Sequence, residues 1–125
     1  MSVEVNRLGP LFEGFQKGYT EALGTATKVS NTFTLDLASG NVFDISLTAN
    51  STIALTGRAT VGTVYSFVIV VRQLGGPFSL GGPASFKYSG GVAPTYSINS
   101  VNILTGITVD GGVTFLMSAA GFLYS

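Results

Sequence analysis

The chain contains no cysteine and no histidine. Those two absences exclude disulfides, thiol nucleophiles, Cys/His zinc sites, haem ligation and any mechanism that needs an imidazole. Charge is scarce as well: 10% of residues are charged, where a soluble domain carries about 25%. Six acidic and six basic side chains cancel to a formal net charge of zero. Such a surface has little repulsion to hold copies apart and little field to steer a charged ligand. The cations are scattered, so there is no basic footprint for nucleic acid. The longest apolar run, Phe67 to Val71, falls far short of the ~20 residues that span a bilayer. The opening residues MSVEVNRLGPLFEG carry early acids and no continuous apolar stretch, so no secretory leader is read there and no membrane partner is expected.

What is present divides into two unequal parts. Half of the charges (Glu4, Arg7, Glu13, Lys17, Glu21 and Lys28) lie in the first 28 residues. In the same stretch Leu8, Leu11, Phe12, Phe15, Tyr19 and Leu23 recur at spacings of three and four, the pattern of an amphipathic helix. Gly9, Pro10, Gly14 and Gly18 interrupt it, and each interior glycine costs about 1 kcal/mol relative to alanine. A helix so short and glycine-rich is marginal alone and needs a surface to pack on. That surface belongs either to its own domain or to a neighbouring subunit. Residues 1–29 are therefore read as an N-terminal arm, partly helical, and residues 30–125 as one domain of ordinary size.

In that domain the hydrophobic period changes to two. Phe33, Leu35 and Leu37 alternate with polar residues, as do Phe43, Ile45 and Leu47, and then Ile53 and Leu55. These are half-buried strands bounded by turn residues such as Ser39-Gly40-Asn41 and Ala49-Asn50-Ser51. VYSFVIVV, residues 64–71, is apolar at nearly every position and reads as a strand covered on both faces. Further strands are expected over 100–109, 113–118 and 121–124, with shorter ones between 78 and 95. Asp110-Gly111-Gly112 has the composition of a hairpin turn. The fold class is all-β, a β-sandwich or jelly-roll-like domain. Strands this apolar with so few charges aggregate through edges and patches unless those surfaces are occupied. A homo-oligomer that buries them against its own copies resolves the conflict.

Chemistry is sparse. Asp36 and Asp44 each fall on the polar side of a strand, and a hairpin turning near Ser39–Asn41 would set them opposite each other. Such a pair suits glycoside chemistry or a hard cation, yet solvated surface carboxylates have the same pattern. Asp110 belongs to its turn. The glycine pairs at 75–76, 81–82, 90–91 and 111–112 form neither GxGxxG nor a P-loop. The sequon Asn50-Ser51-Thr52 reads as a turn. No catalytic, metal or cofactor site is expected. In FKYSGGVAPTYS, residues 86–97, Phe86 and Tyr88 share a strand face and are expected to pack. Tyr88 and Tyr96 are candidate surface contacts, and Tyr96 is the one expected to stay exposed.

Four blocks occur in a recognisable order: LDLASGNVFDISLTANSTIAL (35–55), GTVYSFVIVVRQ (62–73), FKYSGGVAPTYS and SVNILTGITVDGGVTFLMSAAGF (100–122). Together they resemble a small β-domain of tailed-bacteriophage structural proteins, among them tail fibres, tail-associated proteins and head decoration proteins. The resemblance covers roughly residues 30–124 and leaves the arm outside. It implies a virion structural protein, assembled in the host cytoplasm as a trimer or other homo-oligomer, without catalysis. A single domain with a short arm suits a capsid decoration, or cement, protein better than a shafted fibre. On that expectation Leu8, Leu11, Phe12, Phe15 and Tyr19 dock on the major capsid protein, another virion protein or an adjacent subunit. The alternative is a small tail or fibre-associated protein that stacks Tyr88 and Tyr96 on host glycans.

Overall fold

A computed structural model describes residues 22–57 and 62–124. The strands are β1 (Ala26–Val29), β2 (Thr32–Asp36), β3 (Val42–Leu47), β4 (Ser51–Thr56), β5 (Tyr65–Gln73), β6 (Leu80–Gly81), β7 (Phe86–Tyr88), β8 (Val101–Thr108) and β9 (Phe115–Tyr124). They form a four-stranded sheet in the order β1-β2-β4-β6 and a five-stranded sheet in the order β3-β5-β8-β9-β7. The two sheets enclose one core, so the all-β sandwich expected from the alternating pattern is the fold.

From β2 to β6 the chain changes sheet at every connection. β2 pairs β4, β3 pairs β5 and β4 pairs β6, each in parallel. The chain thus winds as a flattened coil, its alternate residues turned inward on every pass. Antiparallel pairing is confined to β1/β2, β5/β8 and β8/β9, and β7 adds in parallel at the far edge of β9.

The period-two pattern explains the core. Leu35, Phe43, Leu47, Ile69 and Val71 are fully buried, with Phe33, Ile45, Ile53, Leu104 and Met117 beside them. Each such side chain contributes about 1.5–3 kcal/mol by leaving water. Phe67 is the hub of an aromatic cluster. Its ring lies edge-on to Phe115 at 5.7 Å and to Phe43 at 6.3 Å, and tilted to Phe86 at 6.3 Å. Gly106 on the neighbouring strand makes this possible. A Cβ there would sit 2.7 Å from a Phe67 ring carbon and 2.6 Å from the Met117 sulfur.

Several expectations need correcting. The segment between β2 and β3 is a crossover between sheets, because β2 finds its partner in β4 and not in β3. In place of separate strands over 113–118 and 121–124 there is a single strand, β9, starting at Phe115, which absorbs a register shift opposite Ile103 and Leu104. VYSFVIVV is not covered on both faces: Phe67, Ile69 and Val71 are buried, while Val68 and Val70 are only half-buried on the outer side. The sheet also begins at Ala26, inside the segment read as arm. Leu8, Leu11, Phe12, Phe15 and Tyr19 lie outside the described residues, as does the helical reading of that segment.

Buried polar side chains that hydrophobic periodicity does not reveal fix the loops. Gln73 accepts from the Phe78 N–H at 2.7 Å and donates to the Phe78 carbonyl at 2.9 Å, which holds the turn after β5. Asn102 donates to Ser100 Oγ at 2.9 Å, and Ser100 in turn donates to the Ser97 carbonyl at 2.7 Å. Thr108 donates to Asp110 at 2.9 Å and accepts from the Gly112 N–H at 2.9 Å. Satisfied in this way, these groups avoid the desolvation cost of an orphaned polar atom.

Candidate functional site

Because strand side chains alternate, burial of Phe67, Ile69 and Val71 turns Ser66, Val68, Val70 and Arg72 to the outer face of the five-stranded sheet. The register continues this face across its neighbours. Ile107 stands between Ser66 and Leu116, Thr105 between Val68 and Ser118, and Ile103 opposite Val70. Val42 of β3 lies beside Val68. The centre is therefore apolar: Val42, Val68, Val70, Val101 and Ile103 are half-buried there. Leu116 is 55% and Ile107 38% exposed.

At the β8–β9 end of this sheet the apolar surface extends further. Val64 precedes β5, and Val109 and Val113 flank the hairpin turn; all three are more than 60% exposed. A shallow depression of about 280 Å³ opens among Ser66, Val68, Thr105, Ile107, Leu116 and Ser118. The short side chains of Ser66 and Ser118 flank it, and Phe67 and Gly106 also line it. Charge is confined to the rim. Asp44 takes Arg72 in a two-point pair, 2.8 Å to Nε and 3.2 Å to the second guanidinium nitrogen. That hydrogen bond and the carboxylate's charge hold the guanidinium still more firmly protonated. Lys87 is exposed beside Leu116.

Among the described residues the three acids lie apart. Asp36 and Asp44 lie in different sheets. Asp36 accepts from the Ala38 N–H at 3.1 Å and caps its own turn, and Asp44 is taken by Arg72. Asp110 accepts from the Thr114 N–H and from Thr108, both at 2.9 Å. The Thr114 N–H is the main reason its carboxyl sits below the ordinary carboxylate value. Among the described residues no three potential metal ligands cluster.

The FKYSGGVAPTYS segment is framework. Phe86 is buried, and Tyr88 lies edge-on to it at 6.4 Å. Gly90 and Gly91 turn the chain with φ of 70° and 73°, a left-handed geometry that glycine adopts without strain. Tyr96 does not keep the exposure expected of it. It packs against the core, and burial together with nearby Tyr88 pushes its hydroxyl well above the ordinary tyrosine value. Residues 92–97 leave one hollow of about 610 Å³ towards Met117 and another of about 460 Å³ towards Phe78. No charged side chain lines either one.

The arm meets the domain at the β3 edge. The Gly24 N–H donates to the Val42 carbonyl at 2.7 Å, and the Asn41 N–H reaches the Ala22 carbonyl at 3.3 Å. Leu23 bridges Val42 in parallel. Sequence reasoning anticipated apolar surface left for copies of the chain but not its place, because the strand over 64–71 was read as covered on both faces. The alternation of Val42, Val68 and Ile103 with core residues was the available signal. Comparison of the chain with family models, curated proteins and solved structures finds no match.

Proposed function

We propose that this protein is a structural subunit that assembles with copies of itself, as a capsid decoration protein of a tailed-bacteriophage virion. The observation that carries the assembly part is the outer face of the five-stranded sheet. A continuous apolar surface whose charges stand only at the rim is the composition of an interface core. The near absence of charge across the β-domain supports it, since nothing on this face opposes the approach of a second copy. The virion part rests on the order of the four sequence blocks. Glycan stacking has less to stand on, because Tyr88 and Tyr96 are packed against the domain.

Two measurements test the proposal together. Light scattering coupled to gel filtration should give a small multiple of 12.9 kDa. A gold-labelled antibody should decorate the heads of phage particles that contain the protein. A protein that is monomeric and never particle-bound overturns the proposal; label on tails alone overturns its decoration part.

A further inference from the structure

We infer that the outer face of the five-stranded sheet is covered by residues 1–21 of a neighbouring copy, a deepening that rests on the assembly reading above. Three observations point to this occupant. First, the face lacks a cover among the described residues, and the chain has 21 residues outside them at its start. Their stripe of Leu8, Leu11, Phe12, Phe15 and Tyr19 is apolar where the face is apolar.

Second, the dimensions match. Leu8 to Tyr19 at helical rise spans about 17 Å, and five strands at about 4.8 Å spacing make a sheet about 19 Å wide. The depression of about 280 Å³ beside Ile107 and Leu116 has room for one aromatic side chain, the kind of anchor that concentrates binding energy. The glycines that make this segment marginal alone are consistent with ordering on contact.

Third, the exit geometry directs it outward. Leu23 runs parallel to Val42 at the β3 edge. Towards lower residue numbers the chain therefore leaves in the plane of the sheet, past the first residue of β3. Only Thr20 and Glu21 separate Tyr19 from Ala22, about 10 Å of chain at full extension. A segment that starts at the edge of its own sheet and heads away from it is placed to lie across the sheet of an adjoining copy, and the crosslinks below separate that path from a turn back onto its own face.

The cysteine-free sequence makes the test clean. Chains carrying Gln16→Cys, a polar position beside the stripe, are co-expressed with chains carrying Ser66→Cys, a small exposed position on the face. A bis-maleimide crosslinker is then added to the purified oligomer. The expected result is covalent dimers containing one chain of each kind, lost when residues 1–21 are deleted. A chain bearing both cysteines that crosslinks only within itself overturns the exchange between copies. An intact oligomer in which Ser66→Cys chains link only to each other also overturns it, while leaving self-assembly in place. A monomer at every concentration removes the assembly reading itself. Should the truncated chain misfold, the double substitution Phe12→Ser, Phe15→Ser in the full chain serves instead. It should reduce the mixed crosslink at least tenfold, and an unchanged yield overturns the inference.

Discussion

The two sheets share one core but present opposite outer faces. On the four-stranded sheet the outward positions are mainly threonine and aspartate (Thr27, Thr32, Thr34, Asp36, Thr52 and Thr56), with Val29 and Ala54 among them, and Thr32 and Thr52 are hydrogen-bonded across strands at 3.1 Å. On the five-stranded sheet half of the corresponding positions are valine, isoleucine or leucine, namely Val42, Val68, Val70, Val101, Ile103, Ile107 and Leu116. Threonine and valine have nearly the same shape and serve a strand equally well. What separates the two faces is the hydroxyl group, and therefore the affinity for water. Folding alone would be satisfied by either choice, so the apolar choice on one side points to a use beyond folding.

The largest effect should come from the structure beneath both faces. Phe67→Ala removes the aromatic hub and should cost about 3–5 kcal/mol, read as a lower guanidinium midpoint. Hydrogen exchange should quicken in both sheets together. Loosening of one sheet alone would mean that the faces do not share a single core.

A smaller and more selective effect should follow from exchanging the chemistry of the faces. Val68→Thr with Val70→Thr keeps the strand shape and should leave the unfolding midpoint within error. It should weaken self-association about tenfold, close to 1.4 kcal/mol. Thr34→Val with Thr52→Val on the other sheet should leave self-association unchanged. Equal responses from the two pairs would erase the distinction between the faces.

The smallest effect concerns acid. Asp110 anchors the hairpin turn that carries Val109 and Val113, and its folded carboxyl lies below the ordinary value. Its stabilising contribution is thus complete above about pH 4 and is lost as pH falls through the lower folded value. Amide exchange at residues 109–114 should quicken across that window, and Asp110→Asn should flatten the response.

Much of the fold was legible in the sequence, because period-two alternation records which face of each strand is buried. Phe33-Leu35, Phe43-Ile45-Leu47 and Asp110-Gly111-Gly112 announced their strands and turn directly. Pairing partners were not legible. A short loop after an alternating strand looks the same whether it closes a hairpin or crosses to the other sheet, and for that reason a pairing of Asp36 with Asp44 stayed open beside the reading of both as solvated surface carboxylates. Tyr96 was misjudged for a related reason: its neighbours Pro94 and Thr95 suggested an exposed loop, while the contacts that bury it come from distant parts of the chain. Val68 and Val70 read as buried because composition cannot distinguish a side chain covered by its own fold from one that awaits a partner.

The most direct test is the molar mass of two single variants compared with the native chain. The native protein should exceed 12.9 kDa severalfold at micromolar concentration. Ile107→Lys, which places a charge at the centre of the apolar face, should fall to the monomer mass, and Thr34→Lys on the other face should retain the native mass. A native mass of 12.9 kDa at every concentration, or an Ile107→Lys protein that assembles as well as Thr34→Lys, would contradict the assignment of that face.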